Sequence, residues 1–272
     1  MLFCVFLPFF LLDKGYEVWY NEVKDGRRLM VVRCEHSTQN RKKGTTMIKA
    51  VIFDFDGTLA DTLESIKHGI NITMDKFGYP HSTRDDVQAH INHGARNLIK
   101  LSLPLELQSD DAKIDEAYAV YNEMYNGVYL EVDELYEGVG EVISALCEKG
   151  IKMSVLSNKQ DLMVKGLCNK LLPGEAFTEY RGQIVGAPTK PDPTVPLEIC
   201  ALMGVDPSEC ALIGDSDVDM VTAKNAGFTA IGVSWGYRPK ELLLENGADF
   251  IAESAVDIVD FILKSNDREK QL

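Results

Sequence analysis

The sequence predicts an α/β protein: a Rossmann-like parallel sheet core with an all-helical domain inserted after one of its strands. Three observations carry this expectation. From Leu135 onward, short apolar runs alternate with stretches of helical periodicity, the pattern of a parallel sheet covered by helices on both faces. A further apolar run, Ala50 to Phe53, stands far upstream, and no strand signal interrupts residues 63–130 between them. Finally, several of these runs stop on a carboxylate or hydroxyl (Asp54, Ser157, Asp215), and ligands of such sheets bind at the carboxyl ends of the strands.

The chain has 272 residues, with 45% hydrophobic and 26% charged residues, an ordinary composition for a globular protein. Its net charge of −14 argues against nucleic-acid binding, which wants basic surface. An anionic substrate stays compatible with it, because a local metal and lysine outweigh the overall field. The six cysteines (Cys4, Cys34, Cys147, Cys168, Cys200, Cys210) include no Cys-x-x-Cys pair, so reduced thiols in a cytoplasmic protein are expected.

Residues Met1 to Leu12 are almost wholly apolar but too few to span a bilayer as a helix. No Lys or Arg precedes the run and no clear small-residue cleavage site follows, against a signal peptide. Strand-like runs at Tyr16 to Val23 and Leu29 to Cys34 flank Asp25-Gly26, a hairpin signal. Ser37 to Thr46 reads as a polar, basic linker. Residues 1–46 are therefore expected to be an N-terminal extension outside the catalytic fold, of the kind a wrongly assigned upstream start produces.

The run Ala50 to Phe53 is expected to be a buried strand. Asp54 and Asp56 follow two residues apart, and alternation places such residues on one face. Two carboxylates held this close repel unless a cation or shared proton answers them. Gly57 permits a sharp turn, onto which Thr58 and Asp61 can hydrogen-bond. Ile66, Ile70, Met74 and Phe77 then recur at helical spacing up to Gly78-Tyr79-Pro80. Leu98, Ile99 and Leu101 predict a second helix, and Tyr118, Tyr121, Met124 and Tyr125 a third whose aromatic stripe is expected to be core packing. His93-Gly94-Ala95-Arg96 stands out, because Arg96 could reach an anion bidentately; a helix–helix turn with a solvated arginine is the alternative.

Val139, Val142, Ile143 and Leu146 form one helical face, stopped by Gly150. A strand from Ile151 to Leu156 ends on Ser157-Asn158-Lys159. A short strand is expected at Gln183 to Val185, then Thr189-Lys190-Pro191-Asp192-Pro193 and a helix from Thr194 to Met203. The strand Cys210 to Ile213 ends on Gly214-Asp215-Ser216-Asp217-Val218-Asp219. Strands at Phe228 to Val233 and Asp249 to Ile251, a helix at Lys240 to Asn246 and a last helix through Ile258, Phe261 and Ile262 complete the pattern. The tail from Ser265 to Leu272 is expected to fray.

The string Phe53-Asp54-Phe55-Asp56-Gly57-Thr58-Leu59-Ala60-Asp61-Thr62, with Ser157, Lys190 and Gly214-Asp215 through Asp219, resembles the four motifs of the haloacid-dehalogenase-like phosphohydrolase superfamily. The resemblance covers residues 47–264. It implies that Asp54 is a nucleophile attacking phosphorus and Asp56 the general acid and base. Ser157 would bind phosphoryl oxygens, with Thr58 and Asn158 beside it, and Lys190 would neutralise nucleophile and phosphate together. Mg²⁺ would be held by Asp54, Asp215 and the backbone carbonyl of Asp56, with Asp219 ordering a water or Lys190 from behind. At about 4 Å and an effective dielectric near 20, each pair of like charges is worth roughly 4 kcal/mol of repulsion, so a cation has work to do.

The resemblance also divides the chain, with residues 47–62 and 136–272 as catalytic core and 63–135 as helical cap. Within the superfamily, Tyr136-Glu137-Gly138-Val139, Ser157-Asn158-Lys159, Lys190-Pro191-Asp192-Pro193 and Val233-Ser234-Trp235-Gly236-Tyr237-Arg238 are similar to phosphoglycolate phosphatases. That implies a small phosphorylated substrate, foremost 2-phosphoglycolate, with Arg96 pairing its carboxylate. Pyrophosphate, nucleotides or sugar phosphates as substrate, or a sugar-phosphate mutase, are the alternatives. A dehalogenase lacks the second Asp. No nucleic-acid or membrane partner is expected, and the protein would be a monomer or homodimer.

Overall fold

The computed structural model describes residues 16–22, 28–34, 47–91 and 94–269. The chain forms two compact units, Met1–Gly44 and Thr45–Leu272. In the first, β1 (Tyr16–Glu22) and β2 (Arg28–Cys34) pair antiparallel, from Tyr16 opposite Cys34 to Glu22 opposite Arg28. The apolar run before them, the Asp25-Gly26 turn and the polar linker lie outside the described residues, as does His93.

The second unit opens with β3 (Ala50–Phe53), all four residues buried. Four helices follow: α1 (Leu63–Phe77), α2 (Arg84–His90), α3 (Ala95–Ser102) and α4 (Asp111–Val128). Then come α5 (Val139–Glu148), β4 (Lys152–Gln160), α6 (Asp161–Leu171), β5 (Phe177–Gln183), α7 (Thr194–Met203), β6 (Cys210–Gly214) and α8 (Asp217–Ala226). The chain closes with β7 (Thr229–Val233), α9 (Lys240–Glu245), β8 (Phe250–Ala252) and α10 (Ala255–Glu269). Strands β3 to β8 form one six-stranded sheet in the order β5-β4-β3-β6-β7-β8, every pair parallel. This is the α/β, Rossmann-like class expected.

Alternation along β3 divides the core. Val51 and Phe53 pack with α5, α6 and α10 through Ile143, Leu146, Leu167, Ile258 and Ile262. Ala50 and Ile52 face α7 and α8 through Ile199, Met203, Met220 and Ala223. The four helices inserted after β3 build a third apolar cluster, in which Ile70, Met74, Ile99, Ile114, Tyr121 and Tyr125 are buried. Gly69 is what lets α1 approach α4: a Cβ there would sit 2.7 Å from the Tyr125 ring.

Three elements differ from expectation for local reasons. The strand expected at Gln183 to Val185 lies earlier, at Phe177–Gln183. It is an edge strand of half-exposed, mostly polar residues, so it shows no apolar run, whereas Val185 is fully exposed in the turn after it. Helix α2 is short and polar, and a reciprocal capping box between Thr83 and Asp86 starts it. The tail does not fray at Ser265. Asn266 accepts from the Ile48 N–H (2.7 Å) and donates to the Ile48 carbonyl (2.9 Å), tying α10 to the start of β3. No helix among the described residues is long and apolar enough to cross a membrane.

Candidate active site

The β3–α1 turn sets the first two carboxylates. The Asp54 N–H donates to the Ile213 carbonyl at 2.9 Å, so β6 pins the residue that leaves β3. The N–H groups of Thr58, Leu59 and Ala60 converge on the Phe55 carbonyl, folding the chain back at once. Gly57 makes this possible with φ +83°, and a Cβ there would lie 2.4 Å from Asp215 Oδ2. The left-handed conformation and the lack of space both call for glycine.

Asp54 and Asp56 answer different lysines. Lys190 Nζ lies 2.8 Å from Asp54 Oδ1 and donates to Asp219 Oδ1 at 2.6 Å. Lys159 Nζ lies 2.9 Å from Asp56 Oδ1 and donates to its Oδ2 at 3.0 Å, while the Thr62 hydroxyl donates to Oδ1 at 2.6 Å. The Lys190–Asp54 pair is off hydrogen-bond geometry, so Asp54 Oδ1 accepts no well-aligned bond among the described residues. All four side chains are at least nine-tenths buried.

Asp215 leaves β6 fully buried. The Tyr237 N–H donates to its Oδ2 at 2.7 Å, and the Thr58 hydroxyl reaches its Oδ1 at a long 3.5 Å. Asp219 sits in the first turn of α8, where Ser216 and Asp219 form a capping box. Gly214 is required beside it: a Cβ would stand 2.3 Å from Asp219 Cγ.

The donor set fits a hard divalent cation. One carboxylate oxygen from each of Asp54, Asp215 and Asp219 lies within 4.8 Å of the others, all buried. Four buried carboxylates meet two buried ammonium groups, leaving surplus negative charge for a cation with oxygen ligands. Burial and the crowding of charge shift these groups from their ordinary values. Burial pushes Asp54 up to about 7, with the Asp219 and Asp56 charges adding and Lys190 opposing. Burial, then Asp219 and Asp54, pushes Asp215 well above the carboxylate range. Burial alone would lower Lys190, but Asp219 and Asp54 hold it above its ordinary value.

These groups open onto one cleft between the sheet and the inserted helices. Asp54, Asp56, Ser157, Asn158, Lys159 and Lys190 form its floor. Above them stand Ile66, Ile91, Gly94, Ala95, Leu98, Tyr121 and Tyr125, so Tyr121 and Tyr125 serve both as core and as wall. Of the expected site residues, Asp54, Asp56, Ser157, Lys190, Asp215 and Asp219 are brought together. Asn158 lines the cleft, but its amide is committed: it donates to the Lys190 carbonyl (3.0 Å) and accepts from the Lys190 N–H (2.9 Å). That clamp positions the Lys190 backbone. Thr58 corrects another expectation, since it is 2% exposed, behind the cleft and against Asp215.

Arg96 is not brought to the cleft. Ala95 and Leu98 share the cleft-facing side of α3, and residue 96 lies about 100° round the helix from 95. Its guanidinium pairs on the surface with Asp111 (2.9 Å) and Asp115 (2.7 Å) of α4. Sequence reasoning gave no role to Lys159, Tyr237 or Thr62, which hold Asp56, Asp215 and the turn. The Tyr237 hydroxyl accepts from the Thr62 N–H (2.9 Å) and donates to Asp61 (3.1 Å). The available signal was a lysine at a buried strand end, where an unpaired ammonium would not be tolerated.

Known proteins resemble this chain over most of its length. The chain is 28% identical over 218 residues to phosphoglycolate phosphatase 1 of Pseudomonas aeruginosa, covering 79% of this chain and 80% of the relative. It is 28% identical over 222 residues to phosphoglycolate phosphatase of Vibrio vulnificus, covering 80% and 97%. A crystal structure from Lactobacillus delbrueckii subsp. bulgaricus, described as a candidate phosphoglycolate phosphatase, superposes with a TM-score of 0.72 at 26% identity, covering 80% of this chain and 99% of that one. The model of the haloacid dehalogenase-like hydrolase family matches residues 51–233, well over half of the chain, and the chain belongs to that family.

Proposed function

We propose that the protein is a Mg²⁺-dependent phosphatase that hydrolyses a small phosphate monoester through an aspartyl-phosphate on Asp54, with 2-phosphoglycolate as the foremost substrate. The observation that carries this reading is the pair Asp54 and Asp56, set two residues apart in one cleft and held by separate buried lysines. The division assigns them separate tasks. Asp54 keeps one oxygen without a directed hydrogen bond, free to attack phosphorus. Asp56 stands beside it, protonates the leaving oxygen, and then takes the proton of the water that attacks the aspartyl-phosphate.

Lys190 balances the charge of Asp54 and the incoming phosphate, and Asp219 and the Asn158 clamp keep it there. Ser157, buried at the end of β4, is placed to donate to a phosphoryl oxygen. Asp54, Asp215 and the Asp56 carbonyl would hold Mg²⁺, which when bound offsets the repulsion between these carboxylates and the phosphate. The names of the relatives support phosphoglycolate, and the free thiols of Cys147, Cys168, Cys200 and Cys210 support a cytoplasmic setting. We further assign catalysis to residues 47–62 and 136–272 and coverage of the site to residues 63–135.

The test is a panel of 2-phosphoglycolate, pyrophosphate, nucleotides, sugar phosphates and p-nitrophenyl phosphate, with and without EDTA. The expected result is phosphate release that EDTA abolishes and Mg²⁺ restores, with the highest kcat/KM on 2-phosphoglycolate. Turnover at full rate in EDTA would remove the metal from the reading. Isomerisation of a sugar phosphate without phosphate release would make the protein a mutase.

A further inference from the structure

We infer that Lys159 and Tyr125 form the subsite that reads an anionic substituent on the leaving group, a carboxylate one carbon from the ester oxygen. The inference rests on the phosphatase reading above and deepens it. Lys159 Nζ sits 2.9 and 3.0 Å from the two carboxylate oxygens of Asp56, the group that meets the leaving oxygen. A substituent on the neighbouring carbon therefore lies within reach of the same ammonium. An ammonium has three donors, and Asp56 engages at most two of them.

The cap supplies the second half. Tyr125, on α4, is 2% exposed and lines the cleft, yet its hydroxyl, which lies beside Lys159 and Ser65, makes no well-aligned hydrogen bond among the described residues. Lys159 Nζ stands 5.2 Å from the centre of its ring. A buried hydroxyl without a well-aligned hydrogen bond is costly to keep, and a ligand oxygen seated beside Lys159 would answer it. Among the described cleft residues the cations are Lys159 and Lys190. Lys190 is spent between Asp54 and Asp219, and Arg96 is turned to the surface of α4. Lys159 is thus the cation left to recognise charge on the leaving group.

The test compares kcat/KM for 2-phosphoglycolate with that for ethyl phosphate, which keeps the ester and lacks the carboxylate. The ratio of the two is the readout, since Lys159 also holds Asp56 and its loss slows every substrate. In Lys159→Met the ratio should fall at least thirtyfold, and in Tyr125→Phe about tenfold, the range of a hydrogen bond to a charged group. Lys159→Arg should restore part of it. Calorimetric binding of both compounds to the Asp54→Asn protein gives the same comparison without turnover, so failed chemistry and a failed subsite are read separately. A ratio unchanged in both Lys159→Met and Tyr125→Phe would overturn the subsite. So would a wild-type protein that binds and turns over ethyl phosphate as well as 2-phosphoglycolate, even with the Asp54 chemistry intact.

Discussion

The floor and the roof of the cleft are built on opposite principles. On the floor, the carboxylates and lysines are held by short bonds to one another and to the strand ends, as Lys190 is by Asp219 and, at its backbone, by the NH2 and the carbonyl of the Asn158 side-chain amide. On the roof, Ile66, Ile91, Ala95 and Leu98 present carbon, and the Tyr125 hydroxyl makes no well-aligned hydrogen bond among the described residues. A preorganised polar floor suits charge that develops in a reaction. An apolar roof excludes water and selects by shape, at small energies per group. Changes to the floor, Lys159 apart, should therefore act on the chemical step, and changes to Lys159 and the roof on which substrate is held.

The largest effect should come from the floor. Asp54→Asn should abolish turnover and leave no acid-stable, hydroxylamine-labile phosphoryl label on the protein, with the thermal unfolding transition kept, because the nucleophile is lost and no core side chain is. Asp56→Asn should slow turnover by on the order of 10²–10⁴-fold, and rapid-quench kinetics should show which half-reaction has slowed. Near-native activity in either variant would dissolve the distinction between floor and roof.

A smaller effect should follow from loosening the roof without touching the cleft. Arg238, in the loop after β7, donates to the carbonyls of Gln88 and Ile91 (2.8 Å to the latter), and Gln88 donates back to the Tyr237 carbonyl at 3.1 Å. These bonds finish the C-terminal end of α2, whose last carbonyls have no helical partners, and fasten it to the core. Arg238→Ala should raise KM by about tenfold, the worth of one or two such bonds, with kcat changed less than about threefold on the same grounds. A fall in kcat with KM unchanged would mean that the strap acts on the reaction and not on closure.

The contrast also explains what could be read in advance. The floor was legible because its chemistry needs particular residue types at strand ends: Asp54, Asp56, Ser157 and Asp215 each follow an apolar run, and Gly57 and Gly214 mark the close approaches. Lys190 was legible through Lys-Pro-Asp-Pro ahead of α7. The roof was legible only as helices. Periodicity identifies α1, α3 and α4 but does not say which way one residue points, and Arg96 fell about 100° to the wrong side of α3. Lys159 was hidden for a different reason. Its meaning comes from Asp56, which is 103 residues away in sequence and meets it only across neighbouring strands. Edge strand β5 was misplaced because a half-exposed strand carries little apolar signal.

The smallest expected effect lies on the seam between the two regions. Arg84 of α2 donates to Asp61 Oδ2 at 2.6 Å and to Glu64 Oε1 at 3.0 Å, joining the roof to the turn beneath it. Burial alone would raise Asp61, yet bonds from Arg84 and the Leu63 N–H hold it below its usual value. Glu64 is lowered too, first by Lys67 and then by Arg84. Carboxylates lowered in the folded state bind fewer protons there than when unfolded, so their contribution is present above the ordinary value near 4 and is lost as pH falls through the lowered one. The side chains are about two-fifths exposed or more, so solvent screening limits the pair to roughly 0.2–1 kcal/mol. Many carboxylates titrate in the same window, and the difference between wild type and Arg84→Ala isolates this one. The Tm gap between them should be present at pH 6, shrink in 1 M NaCl, and close as the pH falls through the lowered values and the carboxylates protonate. A gap that persists unchanged at low pH would show that Arg84 fastens the seam by packing rather than by charge.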